Sequence, residues 1–330
     1  VRPLVLPDGV RLSVTEYRPV GEPALTVVLL HGWTLDTRLW RRQMADLTGR
    51  LSAPVTVLAY DIRGHGRSTA TNRRSATLTQ LADDLAAVLR ERVPTGRIVL
   101  VGHSLGGMTI MEYAHRYRTQ FAKRVAGVVF VATSAEGSRH TTYGLSPTLA
   151  SLVRLVEVSS AEILARSGSW RPHRLIMPVL GPGLRWLVFG TNADARALRL
   201  TTAMIGSARL GTIGGFRPAV RSHERVGALA AMTGLPVSVL VGSRDRLTPR
   251  RCAENIAAAI PGADHRVLDD AGHMLPLERP DDVTDAIAQV CRRALRRPNL
   301  FQRIRRAPRP RAGSDDQQPT QQSTRFATGR

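Results

Sequence analysis

Lysine is all but missing from this chain of 330 residues. Lys123 is the only one, so the 47 basic side chains are arginine almost throughout, against 26 acids and a net charge of +21. Aromatic side chains make up 5%, and cysteine is limited to Cys252 and Cys291. Two thiols argue against a disulfide-built scaffold, and without clustered histidines beside them they form no metal-ligand pattern. Both are read as inert thiols on late helices. No uninterrupted run of about 18 apolar residues occurs, which argues against a membrane-spanning helix. The opening stretch, Val-Arg-Pro-Leu-Val-Leu-Pro-Asp-Gly, lacks the long apolar core of a secretory signal. The expectation is therefore a cytoplasmic protein.

The positive charge is unevenly spread. Residues 292–330 carry eleven arginines against Asp315 and Asp316, while the rest is scattered with no single basic helix. After Pro298 come Pro308, Pro310, Gly313 and polar runs at 315–318 and 321–324, without periodicity. That is the composition of a disordered, arginine-rich tail. With Phe301 and Ile304 among its arginines it would support weak contact with anionic membrane; nothing in it specifies a nucleic acid.

What the chain does have is an alternation of apolar runs. Residues 10–17 alternate Val10, Leu12 and Val14 with polar neighbours, as an antiparallel edge strand does. Residues 26–30, 55–60, 98–101 and 125–131 are short β-branched runs suited to strands buried on both faces. Between them, 38–50, 78–92 and 108–117 read as helices, with Thr77 as N-cap of the second. Residues 134–225 then hold several helical stretches but no convincing strand. The alternation resumes with a strand at 236–241, a helix at 250–260, a strand at 265–268 and a helix at 280–295. This is the pattern of an α/β, doubly wound, mostly parallel sheet with an inserted helical lid over the strand ends. The core spans 1–133 and 226–297, the lid 134–225 and the tail 298–330. Within the lid, 175–190 is the most apolar stretch, broken by Pro178, Pro182 and Arg185; it suits lid packing, an apolar acyl pocket or a lipid-facing surface.

The run at 98–101 leads straight into Gly102-His103-Ser104-Leu105-Gly106 and then a helix. A serine on so sharp a strand-to-helix turn is strained and lifted above the sheet, and the two glycines leave room for the turn. The helix N-terminus directs free N–H groups at any anion formed beside the hydroxyl. Such a serine needs a base and an orienting acid. In an elbow of this type the acid follows the serine in the chain and a histidine comes last. Asp245 and His273 stand in those places, each beyond a strand; Asp269, Asp270 and Glu136 are rivals for the acid.

The set His31-Gly32-Trp33, Asp61 to Ser68, Gly102 to Gly107, Gly242 to Asp245 and Gly272-His273 resembles the α/β-hydrolases. The likeness covers about residues 10–296, and is nearest to lid-bearing serine esterases, lipases and non-haem peroxidase-like members. The resemblance implies Ser104 as nucleophile, His273 as general base and Asp245 as its orienting acid. It also implies an oxyanion hole from the backbone N–H groups of Trp33 and Leu105, with no cofactor and no metal. Epoxide hydrolases and haloalkane dehalogenases of this fold attack with Asp at the elbow, so Ser104 favours acyl transfer. The expected activity is hydrolysis of a carboxylic ester of a hydrophobic small molecule or lipid. A perhydrolase or haloperoxidase-like reaction, cleavage of a C–C bond, and a non-turnover receptor remain alternatives on the same residues. His31, His65 and His103 are read as bracing groups, and Asp61 to Ser68 as a turn motif.

Overall fold

Eight strands, β1 (Arg2–Val5), β2 (Arg11–Tyr17), β3 (Leu25–Leu30), β4 (Val55–Tyr60), β5 (Ile98–His103), β6 (Val125–Val131), β7 (Val237–Gly242) and β8 (Asp264–Leu268), form one sheet. Their order is β1-β2-β4-β3-β5-β6-β7-β8. The structure, a computed structural model, describes residues 2–137, 142–171, 173–191 and 193–296. From β4 onward the pairings are parallel; β1 and β2 join antiparallel. The six residues of β5 are all buried, at the centre of the sheet.

The period-two alternation of each strand divides the core between the faces. Val28, Leu30, Ile98, Leu100 and Val128 face α2 (Leu78–Arg92), α3 (Leu105–Arg116) and α9 (Arg250–Ala258). Val27, Leu29, Val99, Val101 and Val129 face α1 (Arg41–Asp46) and α11 (Pro280–Arg296). Thr77 caps α2 by accepting a hydrogen bond from Gln80 N at 3.1 Å. The short helices α4 (Arg118–Arg124) and α10 (Leu275–Glu278) complete this core.

Two expectations need correction. Residues 10–17 are not the edge of the sheet, because β1 pairs outside them with Leu4 opposite Leu12. Pro3 and Pro7 mask that strand in the sequence, yet an edge strand tolerates proline, and Leu4 is buried. The helix expected over 38–50 is broken into a 3₁₀ turn (Thr37–Trp40), α1 and a second 3₁₀ turn (Thr48–Arg50). Thr48 and Gly49 are weak helix formers, and the Asp36 side chain caps the first turn through Arg38 N.

Between β6 and β7 come four helices, α5 (Pro147–Arg166), α6 (His173–Val188), α7 (Ala195–Ser207) and α8 (Leu210–Arg221). Residues Val1–Arg297 form one packing unit that contains these helices, and the arginine-rich stretch Pro298–Arg330 lies outside the described residues. α6 runs through Pro178 and Pro182, at 16 residues. That length is about 24 Å of helix, short of the roughly 30 Å of a bilayer core. Among the described residues no helix is long and apolar enough to cross a membrane.

Candidate active site

Ser104 sits between the end of β5 and the first turn of α3, at φ 50° and ψ −116°. Such a conformation is costly for a residue with a side chain and persists only where its surroundings over-determine it. Here they do. Ser104 N donates to Val131 O at 3.0 Å, while its carbonyl accepts from Gly107 N at 2.9 Å and Thr133 Oγ1 at 2.7 Å. A Cβ on Gly106 would lie 2.3 Å from Leu30 O, and one on Gly102 2.5 Å from Gly107 N, so neither tolerates a side chain. The Ser104 hydroxyl itself is half-buried and has no hydrogen-bond partner among the described residues.

His273 lies in the loop between β8 and α10, and Asp245 in the loop after β7. His273 Nδ1 is 2.8 Å from Asp245 Oδ2, and both residues are buried. Asp245 also accepts from Leu247 N (2.9 Å), Thr248 N (2.9 Å) and Thr248 Oγ1 (2.8 Å). Burial opposes its charge, but His273 and the Thr248 bonds outweigh that and hold its carboxyl below the ordinary carboxylate value. An ionised Asp245 fixes the proton on Nδ1. His273 Nε2 then carries a lone pair, with no partner among the described residues.

Neighbouring loops hold this arrangement. His103 Nε2 donates to the His273 carbonyl at 2.9 Å, and burial, with His273 close by, pushes its imidazole down to about 3, so it stays neutral. A Cβ on Gly32 would lie 2.6 Å from His103 Nδ1 and 3.3 Å from Ser104 Cβ. His31 donates from Nδ1 to Gly32 O (2.8 Å) and accepts Ile62 N at Nε2 (2.9 Å), which ties the Trp33 loop to the 61–68 turn. Asp61 bonds Thr37 N and Arg67 N within the same pair of loops. Neither Trp33 N nor Leu105 N donates to a protein acceptor among the described residues.

Ser104 opens into a cleft of about 380 Å³. Trp33, Met108, Leu247, Thr248 and Pro249 line it, and behind them the Thr248 hydroxyl bonds Asp245 and lies 3.3 Å from His273 Nδ1. From α8, Val220 and Arg217 join the lining, with the Arg217 guanidinium 4.9 Å over the Trp33 ring, and Ser134, Tyr143 and Cys252 border it too. Arg251 and Glu136 also border the cleft, and none of the described residues of 175–190, read in the sequence as a candidate acyl pocket, is in its lining.

The model of the alpha/beta hydrolase family matches residues 27–286. The chain belongs to the alpha/beta hydrolase family. It is 24% identical over 276 residues to a pimeloyl-[acyl-carrier protein] methyl ester esterase of Proteus mirabilis, covering 83% of this chain and 95% of that one. It is 29% identical over 316 residues to epoxide hydrolase A of Mycobacterium tuberculosis, covering 87% and 95%. Among solved structures it resembles a thermophilic esterase from Thermogutta terrifontis, with 26% identity, a TM-score of 0.69 and coverage of 89% and 99%.

In this hydrolase neither Glu136 nor Asp270 bonds His273 among the described residues. Glu136 accepts a hydrogen bond from Asn255 Nδ2 at 3.0 Å, and Asp270 occupies a left-handed turn position with Arg244 3.6 Å away. Two further residues bond this pair or its loop: Thr248, three residues after Asp245, and Glu278, five after His273. Their signal is the short spacing alone, which many turns share. Among the described residues no group of three or more His, Cys, Asp or Glu could hold a metal ion.

Proposed function

We propose that this alpha/beta hydrolase is a serine esterase that cleaves carboxylic esters through an acyl-enzyme. The observation that carries the reading is Ser104, strained on its elbow, lining one cleft with Thr248, whose hydroxyl bonds a buried Asp245–His273 pair with an uncommitted Nε2. Ser104 Oγ attacks the ester carbonyl while His273 Nε2 takes its proton, and Asp245 steadies the resulting imidazolium. Charge developing on the carbonyl oxygen is met by the Trp33 and Leu105 N–H groups, each typically worth about 3 kcal/mol. His273 then returns the proton to the leaving alcohol, and water repeats the sequence to free the acid. Serine at the elbow sets the chain apart from hydrolases of this fold that attack with aspartate.

The preferred substrates are hydrophobic small-molecule esters, consistent with Trp33, Met108, Leu247 and Pro249 in the cleft. Helices α5–α8 act as its lid, α8 already supplying Arg217 and Val220 to the wall. Nine of the twelve exposed large apolar side chains among the described residues fall between Leu149 and Trp186, which supports an apolar outer face for that lid. The protein works in the cytoplasm, and the arginine-rich stretch after Arg297 adds weak contact with anionic membrane. Covalent labelling with a fluorophosphonate, compared with Ser104→Ala, tests the reading.

A further inference from the structure

Glu278 ends the four-residue helix α10, and its side chain turns back onto the loop that carries His273. One oxygen accepts from Gly272 N (3.0 Å) and Met274 N (3.1 Å), the residues on either side of His273. The other accepts from Gly272 N (3.0 Å) and from Gly190 N (2.7 Å), two residues beyond the end of α6. Backbone bonds run beside the carboxylate. Val188 O accepts from His273 N at 2.9 Å and Met274 N at 3.2 Å, and Thr191 N donates to Asp270 O at 3.0 Å. There is no slack in this seam: a Cβ on Gly190 would lie 1.8 Å from Asp270 O, and one on Gly272 2.4 Å from the Phe189 carbonyl carbon.

Glu278, like Asp61, is satisfied by backbone N–H groups and not by an arginine side chain among the described residues. It is partly buried, burial pushes its carboxyl up from the ordinary value, and among the described residues no arginine pairs with it. In a protein with 47 basic side chains, this carboxylate faces three backbone N–H groups instead. Glutamate suits the place because two oxygens on one flexible stem can serve three donors.

We infer that Glu278 is a positioning residue that holds the His273 loop in register and couples it to the end of α6. The imidazole is then aligned with Ser104 only while the end of the inserted helices is seated against the loop. A change at α6 on substrate entry reaches the base through Gly190 and Val188. This role rests on the serine-esterase reading. A base displaced by an ångström costs on the order of 100-fold in turnover, without altering how substrate enters the cleft.

The test uses the full-length protein and Glu278→Gln and Glu278→Ala variants assayed on p-nitrophenyl butyrate, with active sites counted by fluorophosphonate labelling of Ser104 run to completion. The expected result is a fall of about 10- to 100-fold in kcat per titrated site for Glu278→Ala, with KM within twofold. Glu278→Gln, which keeps one acceptor oxygen and the volume, recovers a large part of the loss. In both variants amide hydrogen exchange speeds up together in 188–191 and 271–274. A kcat per titrated site within threefold of wild type in both variants, with only yield or Tm reduced, overturns the positioning role. Absence of covalent fluorophosphonate labelling at Ser104 in the wild-type enzyme overturns the serine-esterase reading itself, and this inference with it.

Discussion

Replacing Asp245 with Asn changes one atom of a buried carboxylate and separates geometry from chemistry. The Asn oxygen can keep the place of Oδ1, which accepts Leu247 N and Thr248 N, so the loop stays folded. The new NH2 group then stands where Oδ2 accepted from His273 Nδ1 and Thr248 Oγ1. Two donors cannot face each other, so the imidazole shifts its proton to Nε2 and accepts at Nδ1. The lone pair that should take the Ser104 proton is gone. On this tautomer argument kcat falls by about 10⁴, or roughly 5.5 kcal/mol of transition-state stabilisation. Tm changes little, because the backbone partners survive. The assay is steady-state hydrolysis of p-nitrophenyl butyrate with active sites counted by fluorophosphonate, alongside Glu136→Gln as control. Glu136 bonds Asn255 rather than His273, so its variant keeps kcat within threefold of wild type, and any effect of its place on the cleft wall falls on KM. Retention of more than a tenth of kcat in Asp245→Asn, or an equal loss in Glu136→Gln, would refute the assignment of the acid.

Other outcomes follow from the same structure. His65, His103 and His223 are buried, and burial, aided by the nearby His31, His273 and Arg225 respectively, pushes each imidazole down to about 3. Their neutral forms are favoured when folded, so stability is full above the ordinary histidine value of 6.5. It is lost as pH falls below 6.5, where the unfolded chain binds protons that the folded chain refuses, by about 1.4 kcal/mol per pH unit for each group. Urea melts at pH 7.5 and 5.5 should differ by about 4 kcal/mol; a difference under 1 kcal/mol contradicts this reading. In a p-nitrophenyl ester series, kcat/KM should peak at medium acyl chains, and a clear optimum at acetate counts against the apolar cleft. Deleting residues 298–330 should lower binding to anionic liposomes at low salt while leaving turnover of soluble esters unchanged; unaltered liposome binding removes the tail from that role.

The fold was legible because its signals are strong and local. The runs at 55–60 and 125–131 are strands with those bounds, and Thr77 caps the helix that starts at Leu78. Buried parallel strands declare themselves as continuous β-branched runs. The edge did not: β1 is four residues long with a proline inside, and only its pairing with β2 reveals it. Helix α6 was obscured in another way, since Pro178, Pro182 and two glycines weaken the helical pattern of a segment that is nonetheless helical.

Chain order is enough to bring Asp245 and His273 into question together, and they meet at 2.8 Å. Order says nothing of the supports. Thr248 bonds Asp245 across a turn, and Glu278 works through backbone amides, whose sequence identity is irrelevant. Arg63 is another case. It is fully buried against Asp84 at 2.5 Å and Asp8 at 2.8 Å, partners 21 and 55 residues away in a chain full of arginine. Nothing in its local sequence distinguishes it from the arginines in solvent. The lining of the cleft was equally hidden, because Arg217 and Arg251 come from helices on opposite sides of β7 in the chain.

Mass spectrometry of the protein after brief exposure to a fluorophosphonate, followed by peptide mapping, tests the account at its centre. One adduct on Ser104 is predicted, fast in the wild-type protein, slowed by orders of magnitude in His273→Ala and absent in Ser104→Ala. No adduct, or an adduct on another residue while ester turnover persists in Ser104→Ala, would contradict it.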